Sequence, residues 1–147
     1  MYKHLLVATD GSKLSGKAVA QAIGLAKSLK ARLTAFYVAP ELPMPMYTEG
    51  VVFQPVSMRE HTAAMTREAA RILDPVAARA KSAGVACATS HAIAASPWEA
   101  ILAAAKKSRC DAIVMASHGR RGVTAFLLGS ETQKVLTHSK VPVLVVR

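Results

Sequence analysis

The sequence predicts a doubly wound α/β domain, with a five-stranded, mostly parallel sheet in the order 3-2-1-4-5 and helices on both faces. Two observations carry this prediction. Short apolar or β-branched runs alternate with longer segments of helical period along the whole chain, which calls for parallel strands joined by right-handed crossovers. No linker or low-complexity stretch divides the 147 residues, and that length suits one domain, residues 1–147, burying roughly two thirds of the surface of its unfolded chain.

Residues 5–9 (Leu-Leu-Val-Ala-Thr) form the first strand, closed by the turn residues Asp10-Gly11-Ser12. Ala18, Val19, Ala22, Ile23, Ala26 and Leu29 then recur at steps of three and four, with Lys17, Gln21, Lys27 and Lys30 between them, giving an amphipathic helix. Residues 33–38 are the second strand. A long helix follows through Met65, Ala69, Ile72, Leu73, Val76 and Ala80 to Gly84, where Pro75 should kink or break it. Residues 85–93 alternate weakly as the third strand. Ser96-Pro97-Trp98-Glu99 has the form of a capping box opening a helix through Ile101, Leu102 and Ala105. Residues 111–116 are the fourth strand, Ser130-Glu131-Thr132-Gln133 is a second box starting a short helix, and residues 143–146 are the fifth strand.

Composition narrows the class. Hydrophobic residues at 52% and charged residues at 19%, with 8 Gly and 7 Pro, exclude disordered and collagen-like chains. The apolar runs are too short to cross a bilayer, and residues 1–12 lack the pattern of a secretory signal, so a soluble cytoplasmic protein with no membrane partner is expected. Cys87 and Cys110 form neither a disulfide framework nor a metal-spaced cluster. The net charge of +10 favours anionic partners. Its cations are scattered along the sequence and read as solvated helix faces. Aromatic residues, at 5%, do not interleave with them, so dedicated nucleic-acid binding is not expected.

In such a sheet ligands sit at the carboxyl ends of the strands where the strand order reverses, near residues 9–12 and 116–119. Two phosphate-loop candidates lie there. Gly11-Ser12-Lys13-Leu14-Ser15-Gly16-Lys17-Ala18 fits G-x-x-x-x-G-K, but Ala18 stands where a hydroxyl should bind magnesium; it reads as a chance match with Lys17 solvated. The second is Ala116-Ser117-His118-Gly119, nine residues, then Gly129-Ser130 at a helix start. Glycines there permit close backbone approach, and the free N–H groups of Ser130, Glu131 and Thr132 make an anion site, with the Ser130 hydroxyl as an added donor. On spacing alone, Gly119 and Gly129 serve equally well to end elements, and Ser130 to cap its helix.

This segment resembles the universal stress protein family, whose nucleotide-binding members carry G-x-x-G, nine residues, then G-[S/T]. The resemblance covers the whole chain, through the opening strand ending in Thr9-Asp10-Gly11-Ser12, Ser117-His118-Gly119-Arg120, Leu127-Leu128-Gly129-Ser130 and the closing Val141-Pro142-Val143-Leu144-Val145-Val146. It implies an ATP site, with or without magnesium, in which Asp10 binds ribose and Ala8, Thr9 and Val38 border adenine. Met115 and Ala116 would lie along the nucleoside, and Gly119, Gly129, Ser130, Glu131 and Thr132 would contact phosphates. Ala116 departs from the motif's first glycine: a methyl is tolerated if that glycine serves close approach, and strained if it needs positive φ.

Asp10 has a local alternative as a turn or cap residue, and Arg120 and Arg121 either screen phosphate or face solvent. His4, His61, His91 and His138 share no spacing and read as structural. The proline-rich, apolar segment 40–55 suggests a lid or partner surface. The fifth strand is an apolar sheet edge, which calls for cover by the same strand of a second copy, the homodimer that the resemblance also implies. The expected function is an adenine-nucleotide-binding stress regulator or interaction module, at most a slow ATPase; the alternative is a dimeric scaffold with no nucleotide.

Overall fold

A computed structural model describes residues 1–42, 57–119 and 128–147. The expected lid segment lies largely outside these residues, as do Arg120 and Arg121. The elements are β1 (His4–Ala8), α1 (Lys13–Leu29), β2 (Arg32–Ala39), α2 (Met58–Ser82), β3 (Cys87–Ile93), α3 (Pro97–Lys107), β4 (Ala112–Ala116), α4 (Ser130–His138) and β5 (Val143–Val146). The sheet order is β3-β2-β1-β4-β5, with every pair parallel, as the alternation predicts.

The period-2 geometry of the strands sorts the core into two layers. Leu5 and Val7 of β1 pack with Leu33, Ala35 and Val114 under α1 and α2, against Val19, Ile23, Ile72 and Leu73. Leu6, Phe36, Ile113 and Met115 point the other way and meet Ile101 and Ala105 of α3 and Val135 of α4. The central strand is therefore apolar from Leu5 to Ala8, while β3, an edge strand, exposes Ala88, Thr89, Ser90 and His91. That exposure explains its weak sequence pattern.

Neither a break at Pro75 nor a Ser96 cap is found. Pro75 lies inside α2 without breaking it; one backbone bond is forfeited on an exposed turn while its neighbours Ile72, Leu73 and Val76 remain buried, and their packing outweighs the proline penalty of about 3 kcal/mol. Ser96 makes no side-chain cap bond to α3.

His4 and Cys110 lie at the amino end of the sheet and behave as structural groups. Nε2 of His4 shares a 2.8 Å hydrogen bond with Thr34 Oγ1, and burial, aided by the Arg32 charge, lowers its pKa. Burial pushes the Cys110 thiol up to about 11 and also raises Cys87, so both stay protonated and unreactive. Among the described residues no helix is long and apolar enough to cross a membrane.

Candidate functional site

α1 leaves β1 toward one face of the sheet and α4 leaves β4 toward the other, so a crevice opens between the carboxyl ends of β1 and β4. Its β1 side is a tightly bonded coil. Thr9 Oγ1 shares a 2.9 Å bond with Ser15 Oγ and accepts the Gly11 N–H at 3.2 Å. Asp10 Oδ1 accepts the Ser12 N–H at 2.9 Å, and Ser12 Oγ accepts the Ser15 N–H at 3.2 Å as the helix cap. Asp10 thus does close a turn, as its local alternative requires, yet Oδ2 also reaches across the crevice: a Cβ on Gly119 would stand 2.7 Å from it. At the near P-loop, Ala18 is fully buried in the core and Lys17 is exposed, so a hydroxyl at position 18 would face the core rather than a metal.

The β4 side is built differently. Gly129 donates its N–H to Ser117 O at 2.8 Å, and a Cβ there would lie 3.1 Å from His118 Cα and 3.2 Å from Ser117 O. Glycine is favoured here by close contact with the β4 backbone, which a Cβ would press by a few tenths of an ångström, and not by conformation, since its φ of −61° is ordinary. Gly129 is the N-cap of α4, with no side-chain cap bond, so Ser130 is the first helical residue and the expected serine-led box does not form. The first helical bond runs from Gln133 N–H to Gly129 O, leaving the N–H groups of Ser130, Glu131 and Thr132 without an intrahelical acceptor at the positive end of the helix.

Two side chains expected at phosphates are committed elsewhere. Thr132 Oγ1 donates to Ala116 O at 3.0 Å and is buried, fastening α4 to the end of β4. Glu131 Oε2 accepts the Trp98 N–H at 2.9 Å and Oε1 takes Lys134 Nζ at 3.1 Å. Glu131 therefore caps α3 from another helix, at an end where Ser96 makes no side-chain cap bond. Each residue still presents its N–H. Ala116 is unstrained: the only non-glycine residues with positive φ among those described are Lys30 and Arg109. Of the two readings of the missing glycine, the one that needs positive φ does not apply to this backbone.

Every residue nominated from the sequence (Ala8, Thr9, Asp10, Val38, Met115, Ala116, Gly119, Gly129, Ser130, Glu131, Thr132) lines a single cleft of about 1120 Å³. Sequence reasoning missed its far wall, made by Ala64, Met65 and Glu68 of α2 and by Ala94, Ala95 and Pro97 after β3. The 3-2-1 strand order was the available signal, because it sets the carboxyl end of β3 beside that of β2. His118 also lines the cleft, its Nδ1 bonded to Ser117 Oγ at 3.2 Å. His61 is tied to Pro40 O, and His138 stacks on Trp98.

The universal stress protein family profile matches residues 1–147. The chain belongs to the universal stress protein family. Universal stress protein YxiE of Bacillus subtilis is 34% identical over 149 residues, covering all of both chains. Among solved structures, a universal stress protein family member from Burkholderia pseudomallei is similar with a TM-score of 0.74 and 29% identity, over 98% of this chain and 95% of that one. A universal stress protein in complex with cAMP is similar with a TM-score of 0.70 and 26% identity, over 99% and 97% of the two chains. These likenesses extend to the doubly wound architecture that the family shares.

Proposed function

We propose that residues 1–147 act as one adenine-nucleotide-binding domain, a universal stress protein whose regulatory or interaction state follows nucleotide occupancy. The observation that carries this reading is the α4 junction: three N–H groups at a helix start, held against β4 by Gly129 and Thr132, open into the same cleft as Asp10. Such an end attracts phosphate through aligned dipoles and vacant donors. Beside it, Ala8, Val38 and Met115 offer an apolar floor for a base, and Asp10, which lines the same cleft, is the proposed ribose ligand. The cAMP-bound relative supports the adenine nucleotide class, and ATP is the proposed ligand.

Among the described residues no three His, Cys, Asp or Glu side chains are grouped to hold a metal. A magnesium ion would therefore be held chiefly by the nucleotide's phosphates. Hydrolysis is not required by this reading. Isothermal calorimetry with ATP, ADP, AMP and cAMP tests it: binding should be saturable and should fall about a hundredfold or more in Gly129→Val, whose branched side chain meets the β4 backbone. Absence of binding to the unmutated protein would favour the scaffold reading instead.

The same proposal includes a homodimer through β5. This strand is a sheet edge with Leu144 43% exposed, and pairing would satisfy two edges at once. Light scattering at micromolar concentration should give twice the chain mass, and Leu144→Pro should abolish the dimer.

A further inference from the structure

The fold gathers what the sequence scatters. Because all strands are parallel and each helix returns the chain, every helix ends at the amino edge of the sheet. Lys27 and Lys30, Arg79 and Lys81, and Lys106, Lys107 and Arg109 lie at or just beyond the ends of α1, α2 and α3; Lys140 follows α4, Lys3 precedes β1 and Arg32 opens β2. All ten are exposed, and none is in an ion pair among the described residues. The only acid at this end among the described residues is Asp111, whose oxygens accept the N–H groups of Lys3 and His4. The other nine basic residues of the chain are nearly matched in number by its other eight acids, so almost the whole net charge of +10 is owed to this one group of cations.

Cations in a last helical turn complement the helix dipole, but that does not account for Lys3 and Arg32 at strand starts. Nor does it account for the turns. Between α2 and β3 the positive-φ position is Gly84, at φ 76°, the residue that adopts it at little cost. The corresponding turns after α1 and α3 place Lys30 and Arg109 there, both at φ 53°. Non-glycine residues held at positive φ cost free energy and cluster at functional sites.

We propose that this end of the sheet docks on an anionic lipid surface, a peripheral contact contrary to the expectation of no membrane partner, which rested on span length and signal pattern alone. Its shape selects that partner. The four connections on this side are two to four residues long, so nothing projects. The cations spread over five strands and both helix layers, a disc about 20 Å across, which meets a plane of headgroups more completely than it meets a linear polyanion. Seven of the ten are lysines, compact charges suited to a diffuse surface potential. Tyr2, 40% exposed beside Lys3, is an amphipathic ring of the kind found at headgroup level.

Co-sedimentation of the full chain with vesicles tests this, using phosphatidylcholine alone or with about 30% phosphatidylglycerol. Binding is expected to the anionic vesicles alone and to weaken as salt rises. The variant Lys30→Gly/Arg109→Gly/Lys106→Gln/Lys107→Gln should partition at least about tenfold more weakly, with an unreduced Tm because glycine relieves both turns. Lys13→Gln/Lys17→Gln/Arg59→Gln/Arg67→Gln removes the same charge from the other end and should lose less than about threefold. Three results would overturn the proposal: no binding to anionic vesicles at low salt, equal losses in the two variants, or tighter binding to duplex DNA or RNA lost in the first variant alone.

Discussion

The molecule has two strand-to-helix junctions side by side, and they use their backbone donors in different ways. At β1–α1 the chain uses part of its own: the N–H groups of Gly11, Ser12 and Ser15 go to Thr9, Asp10 and Ser12 side chains, which leaves the Lys13 and Leu14 N–H groups without an intrahelical acceptor. At β4–α4 the cap is a glycine with no side chain to offer, and the donors of Ser130, Glu131 and Thr132 are left over. The first junction carries the glycine-lysine motif; the second has the open helix end. A helix whose cap takes one of its first-turn donors has less left with which to grip an anion than one that keeps all three, whatever motif it resembles.

Substitutions can break this contrast in graded steps. After Gly129→Val, Thr132→Val should have the largest effect: it removes the bond that holds α4 against Ala116 O, costing on the order of 1 kcal/mol of stability. It should also weaken ATP binding about tenfold in calorimetry, because the three donors lose their fixed aim. Gly119→Ala comes next. The new methyl must push Asp10 Oδ2 aside, and since that oxygen ends a short movable side chain, a loss of about threefold to fivefold is expected. Lys17→Ala should stay within about threefold, as a solvated lysine contributes little; a hundredfold loss would move the site to α1. Ser12→Ala should leave nucleotide affinity unchanged while lowering unfolding free energy by about 1 kcal/mol in urea titration. A change in affinity there would blur the distinction between the two junctions.

Most of the architecture was legible because parallel strands buried on both faces read as unbroken apolar runs, as in Leu5, Leu6 and Val7. The positions of the site residues were legible for a topological reason: strand order alone brings Thr9 and Ala116 to the same crevice. What escaped were bonds between segments distant in sequence. Ser96 has the right neighbours for a capping box, but its helix is capped by Glu131, 33 residues beyond Trp98. Thr132 looked like a phosphate ligand, and nothing local reveals that its hydroxyl is occupied by Ala116. The cationic end was hidden for the same reason, since the turns that carry Lys30 and Arg109 come to one edge only once the sheet is assembled.

The strand order also sets a timetable for synthesis. β1, at the centre of the sheet, is made first, but one of its two partners, β4, begins more than a hundred residues later. At about 5–20 residues per second, that partner arrives roughly five to twenty seconds after β1 has been made. β2 and β3, with α1 and α2, cover one face in the meantime, while Leu6 and Phe36 await α3, β4 and α4 on the other. The nascent chain therefore passes through an interval with a half-built sheet, one open strand edge and one uncovered apolar face, and protection from aggregation is needed most between residues 93 and 112.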